Sequence, residues 1–121
     1  MAFTFYENIE DVFVFRKGVE EIVRFVPVEI KTKDVLLTSI AAIFDYPGFF
    51  GKNWDALRDE LLHKEFPGAK KVILVHQDVP LKNDRESIQV YLDILSEVIE
   101  RRTNLQFQVA FPTSCSTSVQ I

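Results

Sequence analysis

A continuous apolar run at residues 72–75, VILV, constrains the fold more than any other feature of the chain. A half-buried strand alternates apolar and polar residues, so four apolar residues in succession indicate a strand that is covered on both faces. Strands of that kind are typical of parallel sheets, in which crossover helices cover the strands. The segment KKVILVHQDV therefore predicts a buried strand of a parallel sheet.

Helical patterns precede and follow this strand in the sequence. Apolar residues recur at helical spacing in three segments, and each segment follows a residue that favours a helix N-terminus. The predicted helices cover residues 35–44, 54–66 and 87–102, after the N-caps Asp34, Asn53 and Asp84. The first helix is expected to end by Tyr46, because a residue before proline avoids the helical region. Alternation over residues 105–111 predicts a last strand. This order of elements predicts an α/β domain of three-layer type, with a short parallel sheet of about three strands packed by helices.

The two ends of the chain carry weaker patterns. VFVF at residues 12–15 predicts a short strand from its β-branched and aromatic content. FVPVEI at residues 25–30 predicts an extended segment at a sheet edge or a strand start, because Pro27 lacks a backbone N–H. Residues 1–30 are read as an extended N-terminal segment, and the polar residues 112–121 as a loose tail. The length of 121 residues suits a single domain.

Charge and composition argue against several classes of function. The net charge is -4, from 18 acidic and 14 basic residues, which disfavours a nucleic-acid partner and favours a basic protein. The lone Cys115 cannot form an internal disulfide, and with His63 and His76 as the two histidines a zinc site is disfavoured. We therefore expect no metal and no cofactor. The chain has neither the apolar run of a membrane span nor the basic start of a signal peptide, so we expect a cytoplasmic protein.

The second predicted helix carries two carboxylates one turn apart. At about 100° per residue, Asp55 and Asp59 share a face that lies away from the apolar face of Trp54, Leu57 and Leu61. A solvated surface is the ordinary interpretation of such a face. A docking surface for a cationic partner is the alternative. Like charges at this spacing cost about a few tenths of a kcal/mol of helix stability, and a cationic partner would explain why the helix tolerates that cost. A glycosidase-type acid and base is disfavoured, since it requires a cleft and a carboxyl with a raised pKa.

Two other groups of residues are candidates for function. Phe49 and Phe50 stand in a turn between two glycines, where they are either core residues or an exposed interface anchor beside the carboxylates. His76 and Asp78 follow the VILV strand, at the end of a parallel sheet where ligands bind. The chain has no nucleophile motif, no dinucleotide-binding glycines and no P-loop, so we interpret His76 as an ordinary surface or core histidine.

The stretch PGFFGKNWDALRD resembles the central motif of the barstar family, small intracellular inhibitors of secreted bacterial ribonucleases. The matching residues are Pro47, Phe49, Phe50, Gly51, Asn53, Asp55, Ala56, Leu57 and Asp59. The order of the predicted elements over residues 34–111 also agrees with that family. The resemblance implies a three-stranded parallel sheet packed by helices, and a non-catalytic protein whose motif loop and helix cover a ribonuclease active site.

The resemblance also implies a role for each motif residue. Asp59 matches the acid that enters the enzyme's cluster of basic residues for phosphate, and Asp55 matches a second interface acid. Phe49 matches the aromatic that packs against the catalytic histidine, while Gly51 and Asn53 hold the loop. A carboxylate on a rigid helix can imitate a phosphate because both accept charge-assisted hydrogen bonds from Arg, Lys and His.

The chain departs from the family pattern at several positions. Phenylalanines occupy 49–50, where the family's best-known member has tyrosines. Arg58 replaces an aromatic residue, Glu60 replaces a small residue, and the further acid that the family carries on its last helix has two candidates, Glu97 and Glu100. These departures keep two hypotheses open. The first is a barstar-like ribonuclease inhibitor, monomeric when free, and the alternative is an interaction module that binds another basic protein or a different toxin.

Overall fold

The computed structural model of the chain describes residues 3–12, 20–46 and 53–119. The strands are β1 (Thr4–Tyr6), β2 (Glu21–Val26), β3 (Lys71–His76) and β4 (Gln106–Pro112). The α-helices are α1 (Lys33–Ile43), α2 (Trp54–His63) and α3 (Arg85–Arg101), and short 3-10 helices cover Ile9–Val12 and Thr113–Cys115. The predicted α/β fold with a small parallel sheet is confirmed. The described sheet has four strands where about three were expected.

The strands pair in parallel in the order β1-β4-β3-β2. β3 lies between β4 and β2, with Val75 paired to Phe25 on one side and to Ala110 on the other. Residues 72–75 are all buried, as the apolar run predicted. β1 was not predicted, because its three residues are too few to show a period.

The two faces of the sheet are covered differently. Val72 and Leu74 point to one face, where they join a large core cluster that contains the apolar faces of α1, α2 and α3. Ile73 and Val75 point to the other face, where Ile9 of the first 3-10 helix packs against them. The order of the strands explains this arrangement, because β2, β3 and β4 follow one another across the sheet in one direction. Right-handed crossovers then place all three helices on the same face. The predicted three-layer arrangement is therefore wrong for the described elements, in which the α-helices form one layer and the sheet the other.

The helix boundaries differ in detail from the predicted ones. α1 is capped by Thr32, whose hydroxyl accepts from Val35 N at 3.2 Å, and Asp34 lies in the first turn instead of capping it. α1 ends at Ile43, and Asp45 then adopts a left-handed φ of 55°. The predicted cap Asp84 is confirmed, since its carboxylate accepts from Ser87 N at 3.1 Å.

α2 ends three residues earlier than its pattern predicted, at His63. Pro67 accounts for this end, because it has no N–H for the carbonyl of His63 and its ring would clash with that carbonyl. The end is then capped by Arg102, which is 6% exposed and follows the last residue of α3. Its guanidinium donates to the carbonyls of Leu61 at 2.7 Å and of Lys64, and it lies over the ring of Phe66. A side chain far away in sequence thus satisfies the last carbonyls of α2, which the helix itself leaves without donors.

The two ends of the chain also differ from expectation. Of the predicted strand at 12–15, Val12 belongs to a 3-10 helix, and residues 13–15 lie outside the described part. β2 ends directly before Pro27 and forms a sheet edge, as Pro27 predicted. The expectation of a loose tail over 112–121 needs correction for residues 112–119, because Cys115 and Val119 are buried in the core. The 3-10 turn after β4 directs these two apolar side chains inward while the polar residues between them face solvent. None of the described helices is long and apolar enough to cross a membrane.

Candidate functional site

The start of α2 is defined by a side-chain cap. Asn53 has extended dihedrals, and its Oδ1 accepts from Ala56 N at 2.8 Å, as predicted. Leu57 and Leu61 are buried below the helix, and the half-buried Trp54 packs against the same cluster. α2 is therefore held at its first turn by the cap and along its length by the core.

The carboxylates of α2 point away from this core. Asp55 and Asp59 are both exposed, and the side chain of Asp59 is 74% exposed. Among the described residues, neither carboxylate forms an ion pair with a lysine or an arginine. Asp59 Oδ1 lies 4.0 Å from Nδ1 of His63, itself largely exposed, so this contact contributes little. The prediction that the two acids share a face away from Leu57 is confirmed.

The cation on this helix, Arg58, is bound within the chain. Its Nε donates to Glu97 Oε1 at 2.7 Å, and its second terminal nitrogen lies 2.5 Å from Oε2. Arg101 donates to the same Oε2 at 2.7 Å. These hydrogen bonds lower the pKa of Glu97 to about 2 and raise the pKa of Arg58. Arg58 thus links α2 to α3 and leans away from the acidic face, towards Glu97.

The Arg58–Glu97 pair bears on which acid of α3 corresponds to the further acid that the family carries on its last helix. Glu97 is one of the two candidates, and its carboxylate is occupied by two arginines of its own chain. Glu100, the other candidate, is exposed. No local pattern in the sequence indicated the Arg58–Glu97 pair, because its members lie 39 positions apart. Phe49, Phe50 and Gly51, the remaining predicted site residues, lie outside the described part of the chain.

The histidine after VILV is a core residue. His76 is fully buried, and its ring stacks on Phe111 with 4.1 Å between centroids. Its Nδ1 lies 3.2 Å from the carbonyl of Ala110 and its Nε2 lies 2.7 Å from the hydroxyl of Tyr91. We assign the Nδ1–H as donor to Ala110 and Nε2 as acceptor from Tyr91. Burial lowers the pKa of His76 to about 3, so the ring is neutral at physiological pH. Burial likewise raises the pKa of the Cys115 thiol, which opposes formation of a thiolate.

Comparison with known proteins identifies the family. No curated protein matches the chain. The family model described as Barstar (barnase inhibitor) matches residues 21–112, from the start of β2 to the end of β4 and well over half of the chain. The family so described is one of inhibitors, not of catalysts. The match agrees with the parallel sheet and with the capped acidic helix α2, which lies between β2 and β3 in the sequence. The chain therefore belongs to the barstar family.

Proposed function

We propose that this protein is an immunity protein that binds a bacterial ribonuclease and occludes its active site. It acts in the cytoplasm as one domain and binds one enzyme molecule, and it is monomeric when free. The family supports a ribonuclease as the target. The observation that carries the proposal is the Asp59 carboxylate, which is exposed on a rigid helix and has no lysine or arginine partner among the described residues.

The chemistry of the target explains why such a carboxylate inhibits. A ribonuclease site binds an RNA phosphate with Arg, Lys and His side chains. Asp59 would accept charge-assisted hydrogen bonds from these groups in place of the phosphate, and Asp55 would add a second acceptor one turn earlier. The cap at Asn53 and the buried Leu57 fix the helix beforehand, so little conformational entropy is lost on binding. Phe49 and Phe50 would supply apolar contact beside the acids, and Gly51 would shape the loop.

The test is inhibition of RNA cleavage. Barnase and related basic bacterial ribonucleases are assayed on RNA with increasing amounts of the protein. For an enzyme that is inhibited, Asp59→Ala should raise the inhibition constant by at least about thirtyfold, the equivalent of about 2 kcal/mol. Asp93→Ala is the matched control, because Asp93 is an exposed aspartate on α3, outside the acidic face of α2. Equal inhibition constants for the wild type and Asp59→Ala would refute the role of Asp59.

A second candidate is favoured by Arg58. Its side chain is 37% exposed and lies within electrostatic reach of Asp55 and Asp59, so a cation borders the acidic face. A basic protein other than a ribonuclease, with an acidic group beside its cations, would also fit such a face. Affinity capture followed by mass spectrometry separates the two candidates, since each names a different class of bound protein.

A further inference from the structure

A cleft lies at the end of the sheet where β3 and β4 finish. Its volume is about 670 Å³, and a second cleft of about 260 Å³ shares Asp78, Val79 and Lys82 with it. Ligands of parallel α/β proteins bind outside the carboxyl ends of the strands. Small-molecule sites typically have volumes of about 300–1,000 Å³. The position and the size of the larger cleft both suit a small ligand, and the proposed ribonuclease-binding face makes no use of it.

The polar groups of the cleft are mainly hydrogen-bond donors. Lys82, Arg85, Ser114 and Ser118 line it. Its one carboxylate, Asp78, is already occupied, because Oδ2 lies 2.7 Å from Lys82 Nζ and Oδ1 accepts from Val79 N at 2.8 Å. Asp78 therefore holds Lys82 in place at the cleft, and the Lys82 ammonium keeps further N–H groups for a ligand.

Arg85 adds a cation that the chain itself does not neutralise. It is the first residue of α3 and is exposed, and among the residues that the structure describes no carboxylate lies within ion-pair distance of it. The helix N-terminus beside it is capped by Asp84, which accepts from Ser87 N. The recognition of an anion here thus depends on the side chains of Lys82 and Arg85 and not on the helix end.

The loops around the adjoining cleft are held in unusual conformations. Glu29 and Leu81 have left-handed φ values of 61° and 59°, which non-glycine residues rarely adopt. Leu81 N donates to the carbonyl of Ile30 at 2.9 Å, which ties the loop after β2 to the loop after β3. Strained backbone of this kind clusters at ligand sites, and here the Leu81–Ile30 hydrogen bond keeps the two loops in a fixed arrangement.

We infer that this cleft binds the phosphate group of a small molecule. Arg85 and Lys82 would donate to the phosphate oxygens, and the hydroxyls of Ser114 and Ser118 would complete the shell. A phosphate fits better than a carboxylate, because its three oxygens can accept donors that arrive from α3, from the loop after β3 and from the turn after β4. The remaining volume of the cleft would hold the organic part of the ligand.

Nuclear magnetic resonance tests this inference on the whole chain without any partner. Labelled protein is titrated with inorganic phosphate and, separately, with ribose 5-phosphate at constant ionic strength, with sodium acetate as the control anion. We expect saturable shifts of the amides of Val79, Lys82, Ser114 and Ser118, with a dissociation constant of about 1 mM or lower. Tighter binding of ribose 5-phosphate would assign the cleft to a phosphorylated metabolite, and equal binding would assign it to phosphate itself.

The variants make the test specific. Arg85→Ala should weaken binding by about tenfold or more, because hydrogen bonds to charged groups are among the stronger ones. Lys70→Ala removes an exposed lysine at the opposite end of β3 and should change nothing. The inference is overturned if shifts fail to saturate by about 20 mM, if acetate produces the same shifts, or if Arg85→Ala binds as the wild type does. Ribonuclease inhibition by the same samples is a separate readout, so either proposal can fail alone.

Discussion

The buried Arg102 supports the helix that carries the acidic face, and its removal gives a sharp prediction. In Arg102→Ala the carbonyl of Leu61 loses its donor in a place that water does not reach, which costs about 1–3 kcal/mol. The carbonyl of Lys64 is only partly buried, so water replaces most of that hydrogen bond. Loss of the contact with the Phe66 ring adds about 0.5–1 kcal/mol.

One effect acts in the opposite direction. The folded protein holds the Arg102 guanidinium away from water, and this burial lowers its pKa although the group stays charged at neutral pH. Removing the side chain relieves that desolvation and offsets part of the loss. We therefore expect Arg102→Ala to lower the free energy of unfolding by about 2–3 kcal/mol. Arg102→Lys should lower it by about 1–2 kcal/mol, because one ammonium cannot replace the planar fork.

Urea unfolding at 25 °C measures these differences. The matched control is Arg101→Ala, one residue earlier, because Arg101 is 60% exposed and its ion pair with Glu97 is solvated. We expect that control to lose at most about 0.5 kcal/mol. A loss below about 1 kcal/mol in Arg102→Ala, or one no larger than in Arg101→Ala, would refute the view that Arg102 anchors the end of α2.

Three further predictions concern other parts of the fold. His76 has a pKa of about 3 when folded and about 6.5 when unfolded, so the unfolded chain binds more protons as pH falls. The free energy of unfolding, measured by urea titration, should therefore decrease from pH 6.5 to pH 5 by at most about 1.4 kcal/mol per pH unit. A free energy that does not change with pH, or the same slope in His76→Gln, would contradict this. Asn53→Ala should lower the free energy of unfolding by about 1 kcal/mol, measured by the same method, and Asn53→Asp should lower it much less, since aspartate also caps helices. Equal losses in both variants would count against the cap. Arg58→Ala should bind an inhibited basic ribonuclease faster at low salt, with the gain disappearing at high salt, in stopped-flow measurements. An unchanged association rate would mean that Arg58 does not affect the field of the acidic face.

The candidate site shows which features local sequence can predict. The cap at Asn53, the inward Leu57 and the outward Asp59 depend on contacts within seven residues, so the spacing of the sequence was sufficient to place them. The N-terminus of α1 shows the limit of such reasoning. Thr32 and Asp34 are both good caps and lie two residues apart, and local preference did not identify Thr32 as the residue used.

What the sequence determined by itself is the three α-helices, the strands β3 and β4, and the parallel sheet. Four apolar residues in succession required a strand covered on both faces, and the helical periods around it supplied the crossovers. The tertiary structure alone decided that Arg58 is bound by Glu97, that Arg102 caps the end of α2, and that His76 is buried and neutral. The physical reason is distance along the chain. These contacts join residues 15 to 41 positions apart, so they exist only once the helices have packed on one face of the sheet.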